Sequence, residues 1–286
     1  MRDPSPPPAL APGLYLVATP IGTARDITLR ALDILAAADV LAAEDTRTLR
    51  RLMEIHGIPL ARRRIIACHD HNTAAALPKL LAALAQGRSV AYASEAGTPL
   101  IADPGFELAR AARAAGHGVW AAPGPSALLA ALAVAGLPTD RFLFAGFPPA
   151  RAAKRRAWLA ELAPVKATIV LYEAPGRVRE TLADCVVAFG GFRPAAVARE
   201  LTKRFEEVTQ GTLGDLAAEW DGRDAKGEFV VLIGWQEGRE APDLDAALRA
   251  ARRTLSVKAA AAKVAEDLGL PRRQVYQAAL ALEGKE

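Results

Sequence analysis

Short apolar runs alternate with amphipathic stretches over the first half of the chain. The apolar runs predict strands at residues 14–19, 40–43, 65–68, 90–94 and 119–122. The stretches between them carry apolar residues at helical spacing and predict helices at residues 29–37, 48–55, 73–86, 106–115 and 127–135. Strands that are apolar throughout and alternate with helices are typical of a parallel sheet covered on both faces.

The pattern changes after Gly136-Leu137-Pro138. Strands are predicted at 142–147, 168–172, 196–200, 207–211 and 229–235, with fewer helices between them and several connections that resemble hairpins. This pattern indicates a second α/β domain with a mixed sheet. A proline-containing break at 240–242 leads into two or three short helices, the last of which begins at Leu270-Pro271. We therefore predict a disordered leader (1–12), an N-terminal domain (13–124), a C-terminal domain (125–239) and a helical tail (240–286).

Composition limits the class of protein. With 286 residues, 51% of them hydrophobic, and a mean hydropathy of +0.12, the chain can bury a large core. The proline-rich N-terminus has no apolar segment typical of a signal peptide, and no run approaches the roughly 18 apolar residues of a membrane span. The two cysteines, Cys68 and Cys185, are far apart and indicate reduced thiols. These features predict a cytoplasmic protein without a membrane partner.

Positive charge is modest in total but clustered. The net charge is +4 and the pI is near 9.2. Basic residues gather at 62–64, at 151–156, at 249–253 and at Arg272-Arg273. Any one cluster could be ordinary solvated surface, whereas their repetition favours a polyanionic partner.

Three loops are candidates for holding a ligand. Neither a GxGxxG fingerprint nor a Walker loop is present. Loops rich in glycine, proline and small residues instead follow three predicted strands, at 18–22, 94–99 and 122–126. Ligands of parallel sheets gather beyond the carboxyl ends of the strands. Each loop alone could be a tight turn, and Ser126 could cap the helix that follows it.

Several polar segments have both a structural and a chemical interpretation. Asp45 or Thr46 could be a helix N-cap, Arg199 to Lys203 could be a solvated strand end, and residues 226–228 could be a surface turn. The segment from Cys68 to Asn72 contains two histidines, but the sequence offers no second ligand cluster, so no metal site is expected. We expect Asn72 to cap the following helix instead.

The order of seven motifs is more specific than any of them alone. The motifs are TPIGTARDITLRALDIL (19–35), AEDTR (43–47), SEAGTPLIADPG (94–105), PGPSA (123–127), GLPTDRF (136–142), RELTK (199–203) and KGEFV (226–230). Together they resemble the ribosomal RNA small subunit methyltransferase I family, a ribose-methylating branch of the tetrapyrrole methylases. The resemblance covers about 14–234, and the tail also resembles the family's small C-terminal domain. One departure is Glu95, which stands where the family usually has aspartate.

The resemblance implies a fold and a cofactor. The fold is the two-domain tetrapyrrole-methylase-like α/β fold, with S-adenosyl-L-methionine bound in the cleft between the domains. Carried over residue by residue, the cofactor-binding positions are Pro20, Ile21, Glu95, Thr98, Ser126 and Ala127, with Tyr172, Glu200 and Gly227 as weaker candidates. The implied product is a 2′-O-methylated cytidine in the decoding centre of small-subunit ribosomal RNA. The implied enzyme is a homodimer that acts on assembled small subunits.

Methyl transfer to a ribose hydroxyl needs alignment and either a base or a nearby cation. Asp45, Glu200 and Lys203 are the catalytic candidates. The candidate RNA contacts are Arg47, Arg151, Lys154, Arg155 and Arg156. The alternatives are a methyltransferase of the same fold acting on a tetrapyrrole or a protein side chain, and a non-catalytic ribosome-assembly factor that keeps the ligand pocket.

Overall fold

The computed structural model describes residues 9–69, 71–235, 244–268, 270 and 272–283. The chain divides into two compact units, Met1–Leu129 and Ala130–Glu286. The domain boundaries predicted after residues 124 and 239 stay predictions. Residues 1–8 of the predicted leader, Asp70, the predicted break at 240–242 and Pro271 lie outside the described residues.

The described part of the first unit contains a five-stranded parallel sheet. Its strands are β1 (Gly13–Val17), β2 (Val40–Ala43), β3 (Ile65–Ala67), β4 (Ser89–Ala93) and β5 (Val119–Ala122). They lie in the order β3-β2-β4-β1-β5, and all neighbouring pairs are parallel. The helices are α1 (Leu29–Ala37), α2 (Thr46–Ile55), α3 (Thr73–Ala85), α4 (Phe106–Ala114) and α5 (Ala127–Val134). The predicted parallel sheet with intervening helices is confirmed.

The strands of this sheet are apolar on both faces because helices cover both faces. Successive side chains of a strand point to opposite sides. In β1, Val17 packs in one apolar cluster with Leu35 of α1. Leu14 of the same strand packs in another cluster, with Leu80 of α3 and Leu108 of α4. Since both faces are covered, loops at the strand ends are where this unit can present polar groups to a ligand.

The second unit contains a mixed sheet, also as predicted. Its described strands are β6 (Phe142–Gly146), β7 (Thr168–Glu173), β8 (Pro194–Arg199), β9 (Glu207–Thr212) and β10 (Phe229–Ile233). They lie in the order β6-β7-β10-β8-β9; β6 and β7 are parallel and the other pairs are antiparallel. The helices are α6 (Ala152–Leu162), α7 (Val178–Phe189), which follows one 3-10 turn at Pro175–Arg177, and α8 (Leu213–Asp221).

The prediction of several hairpins in this unit is wrong. Within its described strands, β8 and β9 are the one pair that is consecutive, adjacent and antiparallel. The other strands that follow one another along the chain are separated by α6, α7 or α8. Helix α6 is hard to recognise because a charged residue, Arg155, occupies one of its buried positions. The apolar stripe on which a helix prediction depends is therefore interrupted.

The described tail folds into three helices, which confirms the helical tail. They are α9 (Leu244–Arg252), α10 (Val257–Leu268) and α11 (Arg272–Glu283). Leu248, Val264 and Val275 of the tail belong to the same apolar cluster as Leu159 of α6 and Val231 of β10. The tail thus shares the core of the second unit. None of the described helices combines the length and the apolar composition needed to cross a bilayer.

Candidate functional site

The loops that follow β1, β4 and β5 are joined to one another at the carboxyl edge of the parallel sheet. Thr19 and Gly97 exchange two backbone hydrogen bonds, each with an N–O distance of 2.9 Å. The Thr98 hydroxyl donates to the Pro125 carbonyl over 3.0 Å. The three segments that the sequence placed at this edge therefore form one connected surface.

Two buried hydroxyl groups hold the backbone of these loops in place through hydrogen bonds. Thr19 and Ser94 are only 2% and 3% exposed. The Thr19 hydroxyl donates to the Ser94 carbonyl over 3.2 Å, and the Ser94 hydroxyl donates to the Gly97 carbonyl over 2.7 Å. Both hydroxyls are satisfied, so they fix the loop backbone without exposing an unpaired polar group. Sequence reasoning included both residues in the loops but did not find this role.

Small residues allow the loops to approach closely. Gly97 has φ +79°, and a Cβ there would lie 3.5 Å from the Ile21 side chain. A Cβ on Gly124 would lie 3.0 Å from that of Ala18. Loops with little side-chain bulk at the carboxyl edge of a parallel sheet allow close approach of a nucleoside-containing cofactor. The six cofactor positions predicted in this unit lie on these loops or directly after them: Pro20, Ile21, Glu95, Thr98, Ser126 and Ala127.

A cleft of about 570 Å³ opens beside the β1 loop. One side is formed by Thr19, Pro20 and Gly22, and the other by α2. Its charged lining residues are Asp45, Arg47, Arg51 and Glu95, and its apolar ones include Leu52 and Ile55. Sequence reasoning missed the last two and Arg51. The signal that could have found them is helical spacing, since positions 47, 51 and 55, and likewise 48, 52 and 55, are three or four residues apart along α2.

Asp45 begins α2 as its N-cap. Its Oδ1 accepts hydrogen bonds from the backbone N–H groups of Arg47 at 2.7 Å and Thr48 at 3.2 Å. Its Oδ2 accepts from the Arg47 guanidinium at 2.9 Å. The Arg47 side chain, and then these backbone donors, lower the pKa of Asp45 to about 2. Asp45 is therefore an ionised but weak base, and it orients the exposed Arg47 at the cleft.

Glu95, the departure from the usual aspartate, lies exposed at the same cleft. Its backbone N–H donates to the Glu44 carboxylate over 3.1 Å. The Glu44 N–H in turn donates to the Ala93 carbonyl of β4 over 3.2 Å. The β2 and β4 loops are thus connected, and Glu44 is a positioning residue that sequence reasoning did not single out.

In the second unit, Glu200, Lys203 and Glu228 form a charged cluster after β8. The Lys203 ammonium donates to Glu200 and to Glu228, each at 2.9 Å, and the Glu228 N–H donates to Glu200 at 3.0 Å. The hydrogen bond from Lys203 lowers the pKa of Glu200. Burial disfavours the Lys203 ammonium, but its bonds to Glu228 and Glu200 outweigh burial and raise its pKa. Lys203 is therefore a cation and not a base at neutral pH.

Gly227, predicted to bind the cofactor, has a structural reason to be glycine. Its φ is +93°, and a Cβ there would collide with the Glu200 carboxyl group. Glu200 itself has φ +51° and Thr202 has φ +62°. Non-glycine residues in this region are strained and persist only when their surroundings hold them. The charged cluster supplies that restraint.

Tyr172 of β7, another cofactor candidate, packs edge-on against two phenylalanine rings. The centroid distances are 4.8 Å to Phe144 and 5.6 Å to Phe147. Phe147 is 53% exposed. An exposed ring near the start of a basic helix is a stacking candidate that the sequence analysis missed.

The basic cluster at 151–156 has exposed and buried members. Arg151, Lys154 and Arg156 are exposed at the start of α6. Arg155 is 1% exposed, and its guanidinium donates to Asp184 at 2.7 Å and to Glu180 at 3.2 Å. The prediction that Arg155 contacts RNA is therefore corrected, because its guanidinium is buried and paired with the carboxylates of Asp184 and Glu180.

Two further sequence interpretations change. Arg63 donates to the carbonyls of Leu35 at 2.8 Å and Ala38 at 3.0 Å, so it caps the end of α1 instead of contributing to a surface cluster. Asn72 occupies the N-cap position of α3 but makes no capping bond; its side chain accepts from the His69 N–H at 2.8 Å. Among the described residues, no three His, Cys, Asp or Glu side chains could together hold a metal ion.

The fold and the loop surface define a class of protein. The family model "Tetrapyrrole (Corrin/Porphyrin) Methylases" matches residues 13–217. The known structure of a cobalt precorrin-4 methyltransferase is similar in fold, with a TM-score of 0.58 and 21% identity over 78% of this chain and 94% of that one. The chain therefore has the tetrapyrrole methylase fold.

Sequence relatives define the family within this class. The ribosomal RNA small subunit methyltransferases I of Mesorhizobium japonicum and Pseudomonas aeruginosa are 48% and 46% identical to this chain; the alignments cover 96% and 95% of it, and 93% and 98% of those proteins. The model "RsmI C-terminal HTH domain" matches residues 239–283. The chain belongs to the ribosomal RNA small subunit methyltransferase I family, which confirms the resemblance seen in the motifs.

Proposed function

We propose that this protein transfers a methyl group from S-adenosyl-L-methionine to the ribose 2′-hydroxyl of a cytidine in the decoding centre of small-subunit (16S) ribosomal RNA. The name shared by its relatives supports the substrate class. The observation that carries the proposal is the cleft of the first unit, where two arginines and two carboxylates line a space of about 570 Å³ beside the braced loops. This combination of charge and size fits a phosphorylated nucleoside.

The braced loops are proposed to hold the cofactor. When bound, S-adenosyl-L-methionine supplies a methyl group on a positively charged sulfur. The residues of the first unit that would hold it are Pro20, Ile21, Glu95, Thr98, Ser126 and Ala127. The restrained backbone of these loops reduces the entropy lost on binding.

The cleft is proposed to hold the target nucleotide after it leaves its RNA surroundings. Arg47 and Arg51 supply cations for the phosphate, and Leu52 and Ile55 supply an apolar wall for the base. These contacts would fix the sugar, so alignment is the main contribution of the cleft.

The charged residues are proposed to stabilise negative charge more than to remove the proton, so the hydroxyl proton passes to solvent water as the oxygen takes up the methyl group. Asp45, with its pKa of about 2, is a poor base for a ribose hydroxyl. Lys203 is held as an ammonium by Glu200 and Glu228, so any chemical role proposed for it is stabilising negative charge and not removing a proton. Glu200 is proposed to position Lys203.

RNA affinity is proposed to come from the exposed basic residues of α6. Arg151, Lys154 and Arg156 would contact phosphates, and Phe147 would stack on an unpaired base. The family resemblance further implies a homodimer working on assembled subunits in the cytoplasm. Light scattering of the purified protein at micromolar concentration tests the dimer, and a monomeric mass would remove it from the proposal.

The central experiment measures transfer of labelled methyl from S-adenosyl-L-methionine to small ribosomal subunits and, in parallel, to a tetrapyrrole. We expect label in the ribosomal RNA, at a nucleotide whose 3′-phosphodiester resists alkaline cleavage because its 2′-hydroxyl is methylated. Label in the tetrapyrrole instead would support the same-fold alternative. Cofactor binding without turnover on either substrate would support an assembly factor.

A matched pair of variants tests the role of the cleft. Arg51→Ala removes a cleft cation, whereas Arg50→Ala removes an exposed arginine from the same helix that does not line the cleft. Arg51→Ala should raise the KM for subunits about tenfold, and Arg50→Ala should leave it nearly unchanged. Equal effects of both variants would argue against the cleft as the nucleotide site.

A further inference from the structure

Helix α11 has one face that contributes to the core and another that does not. Val275, Ala279 and Leu282 are buried. On the exposed side, Tyr276 and Leu280 are 41% and 45% exposed. Arg272, Arg273 and Gln277 are exposed as well. Positions 273, 276, 277 and 280 are three or four residues apart, so these side chains form a continuous stripe, the α11 stripe, together with Arg272.

The α11 stripe is cationic and aromatic. No carboxylate occurs among residues 272–282, whose side chains the structure describes in this helix. No ion pair joins Arg272 or Arg273 to another described residue. Helix α10 differs, because its exposed Lys263 pairs with Asp267 over 3.2 Å. Within the described part of the chain, the two arginines of the α11 stripe therefore carry charge that no carboxylate neutralises.

We propose that the α11 stripe docks this protein on ribosomal RNA, with Arg272 and Arg273 on phosphates and Tyr276 stacked on an unpaired base. Phosphate binding suits two adjacent guanidinium groups, and base stacking suits an exposed ring in a cationic setting. This inference rests on the proposed function for the identity of the polyanion.

The arrangement of helices supports a nucleic-acid partner. Helices α10 and α11 pack against each other, with only residues 269–271 between them. Two packed helices in this order agree with the family model "RsmI C-terminal HTH domain", which matches residues 239–283. In DNA-binding proteins the second helix of such a pair enters the major groove. The major groove of A-form RNA is too narrow for side-chain readout. The contact is therefore with backbone phosphates and a splayed base.

Docking through the tail should change affinity without changing the chemical step. None of the residues of the α11 stripe lines the cleft or belongs to the loops proposed for methyl transfer. Removing it should raise the KM for subunits while kcat at saturating subunit concentration stays the same. Loss of two phosphate contacts should also lower the slope of log K against log salt by about 1.4 to 1.8.

The test uses full-length protein, small ribosomal subunits and protein-free small-subunit ribosomal RNA, with filter binding between 50 and 200 mM KCl. Arg272→Ala/Arg273→Ala is compared with Lys258→Ala/Lys263→Ala, which removes the same charge from exposed positions of α10. The first pair should weaken binding about tenfold and lower the salt slope, and the second should change little. Tyr276→Ala should weaken binding about tenfold with the slope unchanged, and Tyr276→Phe should restore it.

Three results would overturn the inference. Equal losses of RNA affinity in the Arg272/Arg273 and Lys258/Lys263 variants would mean that RNA is attracted by the overall positive charge and not by the α11 stripe. Loss of subunit binding with no loss on protein-free RNA would indicate a ribosomal protein as the partner. If Tyr276→Phe does not restore RNA binding, stacking is excluded. The comparison of Tyr276→Ala with Tyr276→Phe remains decisive even if the double arginine variant does not fold. Wild-type protein that binds RNA through the stripe but never methylates it would count against the proposed function alone.

Discussion

Glu200 and Gly227 show how closely single residues are fitted in the second unit. We predict that Gly227→Ala lowers the free energy of unfolding by about 1–3 kcal/mol, because alanine is strained at φ +93° and its Cβ meets the Glu200 carboxyl group. Urea denaturation measures this change. Gly222→Ala is the matched control, since Gly222 has φ −98° and open space around it. Equal stability of the two variants would contradict the explanation.

Asp45 gives a prediction with a defined pH dependence. Its folded-state pKa of about 2 lies below the ordinary 3.8, so its contribution to stability is complete above about pH 4 and is lost as the pH falls towards 2. Asp45→Asn keeps an N-cap acceptor but removes the charge. The stability difference between wild type and Asp45→Asn should therefore narrow between about pH 4 and pH 2.

Urea midpoints measured across this pH range test that expectation. Asp45→Ala, which removes the cap as well, should be less stable than Asp45→Asn at every pH. Parallel pH profiles of wild type and Asp45→Asn would show that the carboxylate is not stabilised by Arg47 in solution.

Local chemistry made some of these residues predictable and left others hidden. Asp45 was predictable as an N-cap because capping depends on a few adjacent residues. Asn72 has the same type of sequence context, yet its side chain bonds to His69 inside its own turn. Arg155 could not be assigned from sequence, because its partners are 25 and 29 residues away.

At the scale of elements, α6 contains two neighbouring basic residues with different expected roles: Arg155 stabilises the fold, and Lys154 is proposed to bind RNA. Arg155→Ala would leave the buried Asp184 carboxylate without its main partner, and we predict a loss of about 3–5 kcal/mol in stability. Lys154→Ala changes an exposed residue and should alter stability by less than about 0.5 kcal/mol.

RNA binding should show the opposite order of effects, with Lys154→Ala changing the affinity more than Arg155→Ala does. Lys154→Ala should weaken subunit binding and lower its salt slope by about 0.7 to 0.9, as expected for one phosphate contact. Thermal melts and filter binding on the same samples provide both readouts. A Lys154→Ala variant with wild-type affinity and slope would remove α6 from the RNA surface.

Element positions were predicted well where the apolar period was regular. Helix α1 and strands β2 and β5 have the predicted bounds. The cleft wall on α2 was not predicted, because Arg51, Leu52 and Ile55 gain significance only when the β1 loop is seen beside them. The connection from β6 to β7 was not recognised as helical because α6 has no clear apolar stripe.

At the scale of the whole molecule, cofactor binding should raise stability by mass action. At a free S-adenosyl-L-methionine concentration of 100 times Kd, the folded state gains about 2.7 kcal/mol. We expect a rise of several degrees in the unfolding midpoint, measured by differential scanning fluorimetry. Adenosine at the same concentration is the control and should produce a smaller rise. No shift with the cofactor would contradict the proposed loop site.

The class of fold was predictable because the motifs and the alternation of elements agree. The strand order β3-β2-β4-β1-β5 was not, since neighbouring strands are paired by contacts far apart in sequence. The joining of the three loops at Gly97 and Thr98 follows from that order, because β1 lies between β4 and β5. The site was therefore predictable as a set of loops and not as a connected surface.

The apolar cluster that joins Leu248 and Val275 to Val231 has a practical consequence for anyone who shortens this chain. A deletion that ends before α9 would strip apolar cover from the second sheet and invite aggregation. An inactive truncate would then say nothing about RNA docking. The part that the tail plays in RNA docking therefore has to be measured with substitutions of individual exposed side chains.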